Sequence, residues 1–474
     1  MTTLQTVQAG RSTGPPSAGA GPDGVLAELE AGIGAGEPRQ RFLARVDRAQ
    51  RVLYEAFRRA YGVDGYAKLL ALKTANLAVG KYHFAHRHTA LASKPVQLMV
   101  DPSNTCQLQC PGCVHSASEK VKALVDWPGG LIDPDCFGAF VSLYAPFAWG
   151  AVLYNYGEPM LNKRTPEMIR RFKRYLVHTA ISSNLSLKID AEALVRSGLN
   201  CLYASLDGAT QEVYGLYRRR GRIEVCYENL RNIVAAKRRL GIPTPYIEWK
   251  YLTFQHNEHE VDLAIEIAHD VGVDEIHVAT PFAVDWDDPS VQVAESPKAG
   301  RYKITDASLH GPLDRPEAFA ESDETIERAF ATSWLEHDRA AGGGEEPSRA
   351  QAATCRWLYQ SVTLDAVGRI HPCCMPPVKD LHRVYGIFPD PEPQPFNARD
   401  MKLSRLAFAD RPAYEEAIGD TPPSEAPFCA ICKENPGLTY TVEHDALREL
   451  RDFDPESVLS WHTARSLTEW AGDR

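Results

Sequence analysis

The sequence lacks several features that mark well-known protein classes. No run of about eighteen apolar residues occurs in its 474 residues, so we expect no membrane-spanning helix and no membrane partner. The first stretch, residues 1–38, is rich in Gly, Ala, Pro, Ser and Thr, lacks the apolar core of a signal peptide, and is interpreted as a disordered leader. The net charge of −10 comes without a concentrated basic stripe, so nucleic acid is not expected as a partner.

Cysteine, in contrast, is plentiful. Eleven cysteines without a secretion signal indicate a reducing cytoplasm, and metal binding in place of disulfides. Three stand in Cys106-Gln-Leu-Gln-Cys110-Pro-Gly-Cys113, a C-x3-C-x2-C spacing, and no fourth follows in this segment. Three thiolates can hold three irons of a 4Fe–4S cube, which normally takes four cysteines, so one iron would be open to a ligand that is not protein. Zinc is the alternative, because it also binds clustered thiolates.

In residues 39–94 the apolar residues recur at helical spacing, which predicts an N-terminal helical cap. After residue 94, predicted strands and helices alternate. The predicted strands are Val96–Asp101, Trp149–Tyr154, Val177–Ser182, Cys201–Leu206, Tyr246–Thr253 and Glu275–Thr280. Two of the helices between them begin with a capping residue followed by proline, Asp133-Pro134 and Thr165-Pro166. Six such units predict an α/β fold in which a parallel sheet curls into a partial (β/α)6 barrel over residues 95–284. Active sites of such barrels form from the loops after the strands.

A cysteine triplet of this spacing, in the loop after a first strand, resembles the radical S-adenosylmethionine (radical SAM) superfamily. In that family the open iron chelates the amino and carboxyl groups of SAM's methionine. One electron then cleaves a carbon–sulfur bond and releases a 5′-deoxyadenosyl radical. The resemblance therefore implies a SAM-binding 4Fe–4S cluster on Cys106, Cys110 and Cys113, SAM as cofactor, and an electron donor of the flavodoxin or ferredoxin type.

The resemblance also assigns roles to residues in the later loops. The family usually shows Gly-Gly-Glu-Pro after the second strand, where this chain has Tyr156-Gly157-Glu158-Pro159, and this loop is expected to receive the SAM amino group. The other cofactor-binding residues expected are Ser183, Asn184, Ser205 and Arg218, the arginine through a guanidinium–carboxylate pair. The family often has an aromatic residue beside the adenine where this chain has Gly112, so another apolar group must flank the adenine.

A second cysteine set near the end of the chain completes the pattern. Its members are Cys355, Cys373, Cys429 and Cys432, a C-x17-C pair followed by a distant C-x2-C. This resembles the twitch domain, the shorter version of the SPASM extension of radical SAM enzymes, here over residues 355–440, with a hairpin around residues 365–368. Four thiolates would complete an auxiliary 4Fe–4S cluster with no open iron. Zinc is again the alternative, because C-x2-C pairs also serve zinc ribbons.

Two residues are candidates for direct chemistry on a substrate. Lys250 lies on the fifth predicted strand. Cys374 is an extra thiol beside Cys373, and it is interpreted as an alternative ligand, a packed thiol or a hydrogen-atom donor. The polar residues 285–354 are predicted to be an insertion and linker, and residues 441–474 a helical tail.

The resemblance favours an oxidoreductase that takes a hydrogen atom from a small polar substrate, such as a cyclitol, a sugar or an aminoglycoside-type molecule, with the auxiliary cluster assisting oxidation. The cysteine pattern looks like that of 2-deoxy-scyllo-inosamine dehydrogenases, which points to antibiotic biosynthesis. The alternatives are an epimerase with a cysteine hydrogen donor, a peptide-modifying maturase, and a non-catalytic iron–sulfur or zinc protein.

Overall fold

The computed structural model describes the barrel region and parts of the chain on either side. The described residues are 73, 76, 80, 83–84, 87–91, 93–119, 122, 128–173, 175, 177–281, 288, 291–304, 355, 357–374, 396, 398–421, 427 and 429. The predicted leader, most of the helical cap, the C-terminal tail and Cys432 lie outside them.

One nine-stranded sheet organises the described residues, in the order β7-β6-β5-β4-β3-β2-β1-β8-β9. Its strands are β1 Gln97–Val100, β2 Gly150–Val152, β3 His178–Ser183, β4 Cys201–Ser205, β5 Tyr246–Leu252, β6 Glu275–Ala279, β7 Gly300–Lys303, β8 Ser361–Leu364 and β9 Ile370–His371. Strands β1 to β6 pair in parallel, each with its successor in the chain. The predicted α/β class and the six parallel strands are confirmed.

Helices connect the parallel strands. They are α1 Pro134–Tyr144, α2 Thr165–Lys173, α3 Ala191–Arg196, α4 Gln211–Tyr217, α5 Ile223–Leu240 and α6 Val261–Val271, followed after the barrel by α7 Trp357–Gln360, α8 Arg399–Ala409 and α9 Arg411–Ile418. Asp133 caps α1 as predicted, because its side chain accepts hydrogen bonds from the backbone N–H groups of Asp135 and Cys136. Gly241 ends α5 in the left-handed conformation, with φ of 64°.

The two edges of the sheet differ from the six-unit pattern. Strand β7 pairs antiparallel with β6, and it lies in the range predicted as an insertion. Strands β8 and β9 form the predicted antiparallel hairpin. Strand β8 also pairs in parallel with β1, Leu98 opposite Val362, so the hairpin extends the barrel sheet beside the strand that precedes the cysteine triplet.

The sheet packs differently on its two faces. Leu98 and Val100 of β1 are fully buried in the large apolar core that the helices complete. Met99 points to the other face, where it packs with Val152 and Tyr203 of neighbouring strands. Successive strand residues alternate between faces, so this second set lines the inner face of the curved sheet. Among the helices of the described residues, none has the length and apolar character needed to cross a membrane.

Candidate active site

The cysteine triplet follows β1, at the carboxyl-end edge of the parallel strands. Asp101, the first residue after β1, is fully buried, and its carboxylate accepts hydrogen bonds from the backbone N–H groups of Asn155 (2.7 Å) and Tyr156 (3.3 Å). Burial raises the pKa of Asp101 to about 7, although these backbone hydrogen bonds oppose the shift. Asp101 therefore joins the loop after β2 to the start of the cysteine loop.

Gly157 and Glu158 lie directly against the cysteine loop. The backbone N–H of Glu158 donates to the carbonyl of Thr105 at 2.8 Å. A Cβ atom placed on Gly157 would stand 1.5 Å from the carbonyl oxygen of Ser103, so only glycine allows this approach. The Gly-Glu-Pro motif thus packs the loop after β2 onto the loop that carries Cys106.

The Glu158 carboxylate is buried and held by three protein donors. It accepts hydrogen bonds from the Ser183 hydroxyl (2.8 Å), the backbone N–H of Asn184 (2.9 Å) and the backbone N–H of Met160 (3.0 Å). Burial raises the pKa of Glu158, and these hydrogen bonds oppose the shift. Three residues assigned to SAM from the sequence, Glu158, Ser183 and Asn184, therefore bond to one another and connect the ends of β2 and β3.

The three thiols of the triplet share one apolar cluster. Cys110 is buried there with Leu108 and Phe254, and Cys106 and Cys113 pack against it. Burial raises the pKa of Cys106 to about 12 and that of Cys110 to about 11, and it also raises the pKa of Cys113. Three thiolates in such surroundings require a compensating cation, which an iron cluster would supply.

Two hydrogen-bond donors stand at the sulfur atom of Cys106. Cys106 Sγ has the Leu108 backbone N–H at 3.4 Å and the Asn184 amide nitrogen at 3.6 Å. The Asn184 side chain is itself oriented by Gln107, whose amide donates to its oxygen at 2.7 Å. Donors of this kind orient thiolate ligands and tune the group that they hold. The donor set therefore fits a thiolate-bound cluster.

Arg218 lies beside the triplet. Its guanidinium bonds the carboxylate of Asp207 at 2.5 Å, and a second nitrogen is 3.9 Å from Cys110 Sγ. Asp207 is fully buried, and it also accepts the backbone N–H of Leu252 at 2.8 Å. Arg218 is thus held between β4, β5 and the triplet.

Across the part of the chain that the structure describes, no three His, Cys, Asp or Glu side chains converge on a point that would hold a single metal ion. The fit of the triplet to an iron–sulfur cluster rests instead on its three thiols, on the N–H donors at Cys106 and Cys110, and on the close approach of Gly157 to the backbone of the cysteine loop.

Comparison with known proteins gives a limited result. No protein-family model and no curated relative matches the chain. Among solved structures it is similar to SuiB of Streptococcus suis bound to S-adenosylmethionine, with TM-score 0.42 and 14% identity over 74% of this chain and 73% of that one. It is also similar to anSMEcpe with bound AdoMet, with TM-score 0.39 and 12% identity over 76% of this chain and 99% of that one. A third similar structure is BtrN in complex with AdoMet and 2-DOIA, with TM-score 0.34 and 12% identity over 67% of this chain and 89% of that one. At these values the likenesses establish no family for this chain.

The inner face of the sheet below the triplet carries polar side chains. Ser205 of β4, Lys250 of β5 and His277 of β6 stand side by side in register. The Ser205 hydroxyl is 3.0 Å from that of Ser182 on β3. The Lys250 ammonium lies 3.8 Å from the ring centroid of Tyr203, a cation–π contact. The structure therefore places Ser205 and Lys250 on one polar surface inside the barrel.

A charged network lies deeper on the same face. The Glu248 carboxylate contacts His277 (3.3 Å) and Arg301 (3.1 Å), and Arg301 also pairs with Glu275. The Tyr246 hydroxyl donates to Glu275 at 3.0 Å. Burial on its own raises the pKa of Glu248, but the His277 hydrogen bond and the positive charges of Lys250 and Arg301 outweigh it and lower the pKa to about 2.

Aromatic residues form a wall beside the triplet. Tyr217 and Phe254 have ring centroids 4.5 Å apart in the cluster that contains Cys110, and His256 stacks on Phe254 at 5.4 Å. Gly112 has φ of 73°, a left-handed conformation that favours glycine. This backbone explains why the aromatic residue expected at that position is absent, and the wall supplies an apolar surface elsewhere.

The second cysteine set lies partly within the described residues. Cys355, Cys373 and Cys374 pack against the inner-face cluster that contains Met99, Tyr203 and the buried Trp357. Cys429 is buried in the main core near Arg405, whereas Cys432 lies outside the described residues.

A buried polar atom close to this second set has no hydrogen-bond partner among the described residues. It is the indole nitrogen of Trp357, which lies in the cluster against which Cys355 and Cys373 pack. An unpaired buried donor costs free energy, and a sulfur-rich group at this place would accept from the indole N–H. The surroundings of Cys355 and Cys373 therefore also fit a cluster.

Sequence reasoning missed two residues that organise the site. In the sequence, Asp101 is marked only as the end of a predicted strand, and Tyr156 only as a departure from the family's glycine. A buried Asp immediately after a strand and before a cysteine loop is a usable signal, because such a carboxylate must find donors. Nothing local to Tyr156 indicates its partner, since the Tyr156 hydroxyl donates to the carbonyl of Cys374 at 2.9 Å, 218 residues away.

Proposed function

We propose that this protein is a radical SAM enzyme that takes a hydrogen atom from a small polar substrate. One observation carries the proposal: the buried Cys110 and the half-buried Cys106 and Cys113 share one apolar cluster beside the carboxyl end of β1, with N–H donors at the sulfurs of Cys106 and Cys110. The Gly157-Glu158 loop packs directly against the loop that carries them. When bound, the cluster on the triplet and SAM would supply the adenosyl radical, and an auxiliary cluster on Cys355, Cys373, Cys429 and Cys432 would take up an electron.

This chain's own residues would bind and orient SAM around the triplet. Gly157 gives the close approach, and Glu158, Ser183 and Asn184 hold its loop in place. Arg218 offers a guanidinium to a carboxylate, and Tyr217 with Phe254 offers a flat apolar surface to the adenine. A stacked aromatic surface suits a purine ring.

The polar inner face supports a small polar substrate. Ser182, Ser205 and Lys250 present hydroxyl and ammonium groups inside the barrel, where a cyclitol or sugar would form hydrogen bonds. Oxidation of an alcohol carbon to a ketone there requires loss of a hydrogen atom, then of one proton and one electron. Cys355 and Cys373 of the second set pack against this same inner face, which suits the auxiliary cluster as the place to which the electron goes.

Anaerobic reconstitution tests the enzyme proposal. Full-length protein treated with iron and sulfide, then with SAM and dithionite or reduced flavodoxin, is expected to yield 5′-deoxyadenosine, measured by liquid chromatography. Cys106→Ala should abolish it, whereas Cys136→Ala, which removes a buried thiol of α1, should retain it. Absence of cluster absorbance and of 5′-deoxyadenosine in the unaltered protein would refute the proposal.

Epimerisation is the second candidate, and the position of Cys374 favours it. This thiol packs against the inner-face cluster that contains Tyr203, on the same face as Ser205 and Lys250. Reaction in deuterated buffer separates the two outcomes, because an exchangeable thiol delivers solvent deuterium to carbon. Deuterium in the recovered product, lost in Cys374→Ala, would support epimerisation, whereas formation of a ketone would support oxidation.

A further inference from the structure

The two cysteine-bearing segments approach each other at Tyr156. The backbone of this residue belongs to the triplet's side of the site, because its N–H donates to Asp101 at 3.3 Å. Its carbonyl accepts a hydrogen bond at 2.9 Å from the ring nitrogen of His115, two residues after Cys113. Gly157, the next residue, lies in direct contact with the backbone of Ser103 in the loop of the cysteine triplet. The main chain of Tyr156 is therefore fixed relative to the triplet.

The side chain of Tyr156 reaches the other segment. Its hydroxyl donates to the carbonyl of Cys374 at 2.9 Å. Cys373 and Cys374 lie just beyond β9, whose ladder to β8 covers two residue pairs, Thr363 with His371 and Leu364 with Ile370. The turn between β8 and β9 makes its own contact with the loop of the cysteine triplet. There the Asn104 side-chain oxygen accepts a hydrogen bond from the backbone N–H of Ala366 at 2.9 Å.

We infer that Tyr156 is a latch that fixes residues 373–374 against the loop of the cysteine triplet, and so sets the separation of the two sulfur sites. A phenol suits this position because its rigid ring spans the gap with few rotatable bonds and ends in one donor. A glycine at residue 156 would leave the Cys374 carbonyl without this donor. That the separation matters for electron transfer rests on the proposed function; the latch itself does not.

Thiol alkylation of the full-length, metal-free chain tests the latch without any cluster. Tyr156→Phe keeps the ring and removes one hydrogen bond, which contributes about 1 kcal/mol, so Cys373 and Cys374 should react with iodoacetamide about fivefold faster, as measured by mass spectrometry. The matched control is Tyr302→Phe, which removes a similar bond from a tyrosine hydroxyl to the carbonyl of Lys298 on another part of the sheet.

The expected pattern is acceleration confined to Cys373 and Cys374 in Tyr156→Phe, with the buried Cys226 unchanged and Tyr302→Phe like the unaltered protein. Equal rates in Tyr156→Phe and the unaltered protein would overturn the latch, as would acceleration that extends to Cys226.

A second readout applies once both clusters are assembled. Tyr156→Phe should then alter the spin–spin interaction between the two reduced clusters in electron paramagnetic resonance, while each cluster alone keeps its signal. An unchanged interaction would overturn the latch. Failure to assemble clusters would count against the proposed function and leave the alkylation result standing.

Discussion

Single residues decide whether the cysteine loop can adopt its shape, and Gly157 is the clearest case. Any side chain there would overlap the carbonyl oxygen of Ser103, which belongs to the backbone and cannot rotate away. We expect Gly157→Ala to lower the free energy of unfolding by about 3 kcal/mol, the upper part of the range for overpacking, and to reduce iron uptake. Guanidinium denaturation and iron analysis measure the two effects.

Gly300 provides the control for that substitution. It lies on β7, its φ is not positive, and a Cβ there would meet nothing within 4 Å. Gly300→Ala should therefore leave both stability and iron uptake unchanged. If Gly157→Ala behaved in the same way as Gly300→Ala, the close approach of the two loops would be wrong.

Glu248 is a second residue whose surroundings make a definite prediction. Its pKa is about 2, below the ordinary value of 4.5, so the carboxylate stabilises the fold fully above pH 4.5 and loses that contribution as the pH falls through 2. We expect Glu248→Gln to lower the free energy of unfolding at pH 7 by about 3 kcal/mol, because it leaves Arg301 and His277 short of a buried partner.

In the same variant, the free energy of unfolding should decrease less between about pH 5 and pH 2 than it does in the unaltered protein. Urea denaturation at each pH measures this difference. Glu192→Gln, which removes an exposed carboxylate paired with Arg196, serves as the control and should change little. A Glu248→Gln protein as stable as the unaltered one at pH 7 would contradict the network.

At the scale of elements, Arg405 of α8 fastens the segment that carries the second cysteine set. It is fully buried and donates to the carbonyls of Leu358 (2.8 Å), Thr89 (3.0 Å) and Phe396 (2.6 Å). Burial lowers its pKa to about 10, so it stays charged at neutral pH. Arg405→Met keeps much of the stem but leaves these carbonyls without their donor.

We expect Arg405→Met to cost about 3 kcal/mol or more, since each unsatisfied buried group costs about 1–3 kcal/mol. Chemical denaturation followed by tryptophan fluorescence measures it, because Trp357 lies on the attached α7. Arg411→Met on α9 removes an exposed ion pair with Glu415 and a cation–π contact with Tyr414, and it should cost less than about 1 kcal/mol. Equal effects of the two substitutions would argue against this role for Arg405.

The elements also show where sequence reasoning works. All six predicted parallel strands are present, and the cap at Asp133 is where the sequence placed it, because alternation and capping are local signals. Strand β7 was missed because its four residues alternate between half-buried and exposed, without an apolar face. The pairing of β8 with β1 has no signal in the sequence, since the two strands are about 260 residues apart in the chain.

For the whole molecule, the proposed division of labour between the two cysteine sets makes a stoichiometric prediction. The unaltered protein should bind about eight irons after reconstitution, four for each cube. Changing Cys106, Cys110 and Cys113 together to Ala should leave about four irons and no 5′-deoxyadenosine. Changing Cys355 and Cys373 to Ala should also leave about four irons, but SAM cleavage should persist while substrate oxidation stops.

Iron analysis and a 5′-deoxyadenosine assay on the two variants test whether the two cysteine sets hold separate clusters with separate roles. Loss of SAM cleavage in the Cys355/Cys373 variant would show that the sets do not act separately. Zinc in place of iron after purification from iron-rich medium would favour the structural alternative for the second set.

The order of strands and helices, and the cysteines that follow β1, can be predicted from the amino-acid sequence, because hydrophobic alternation, helix caps and thiol chemistry are properties of neighbouring residues. The contacts of the site, in contrast, depend on the folded chain: Glu158 is held by Ser183 and Asn184, Asn184 points to Cys106, and Arg218 is held by Asp207 beside Cys110. The fold also brings Tyr156 to Cys374. These contacts join residues that are distant in the chain, and a buried polar group takes whichever partner the packed fold places beside it.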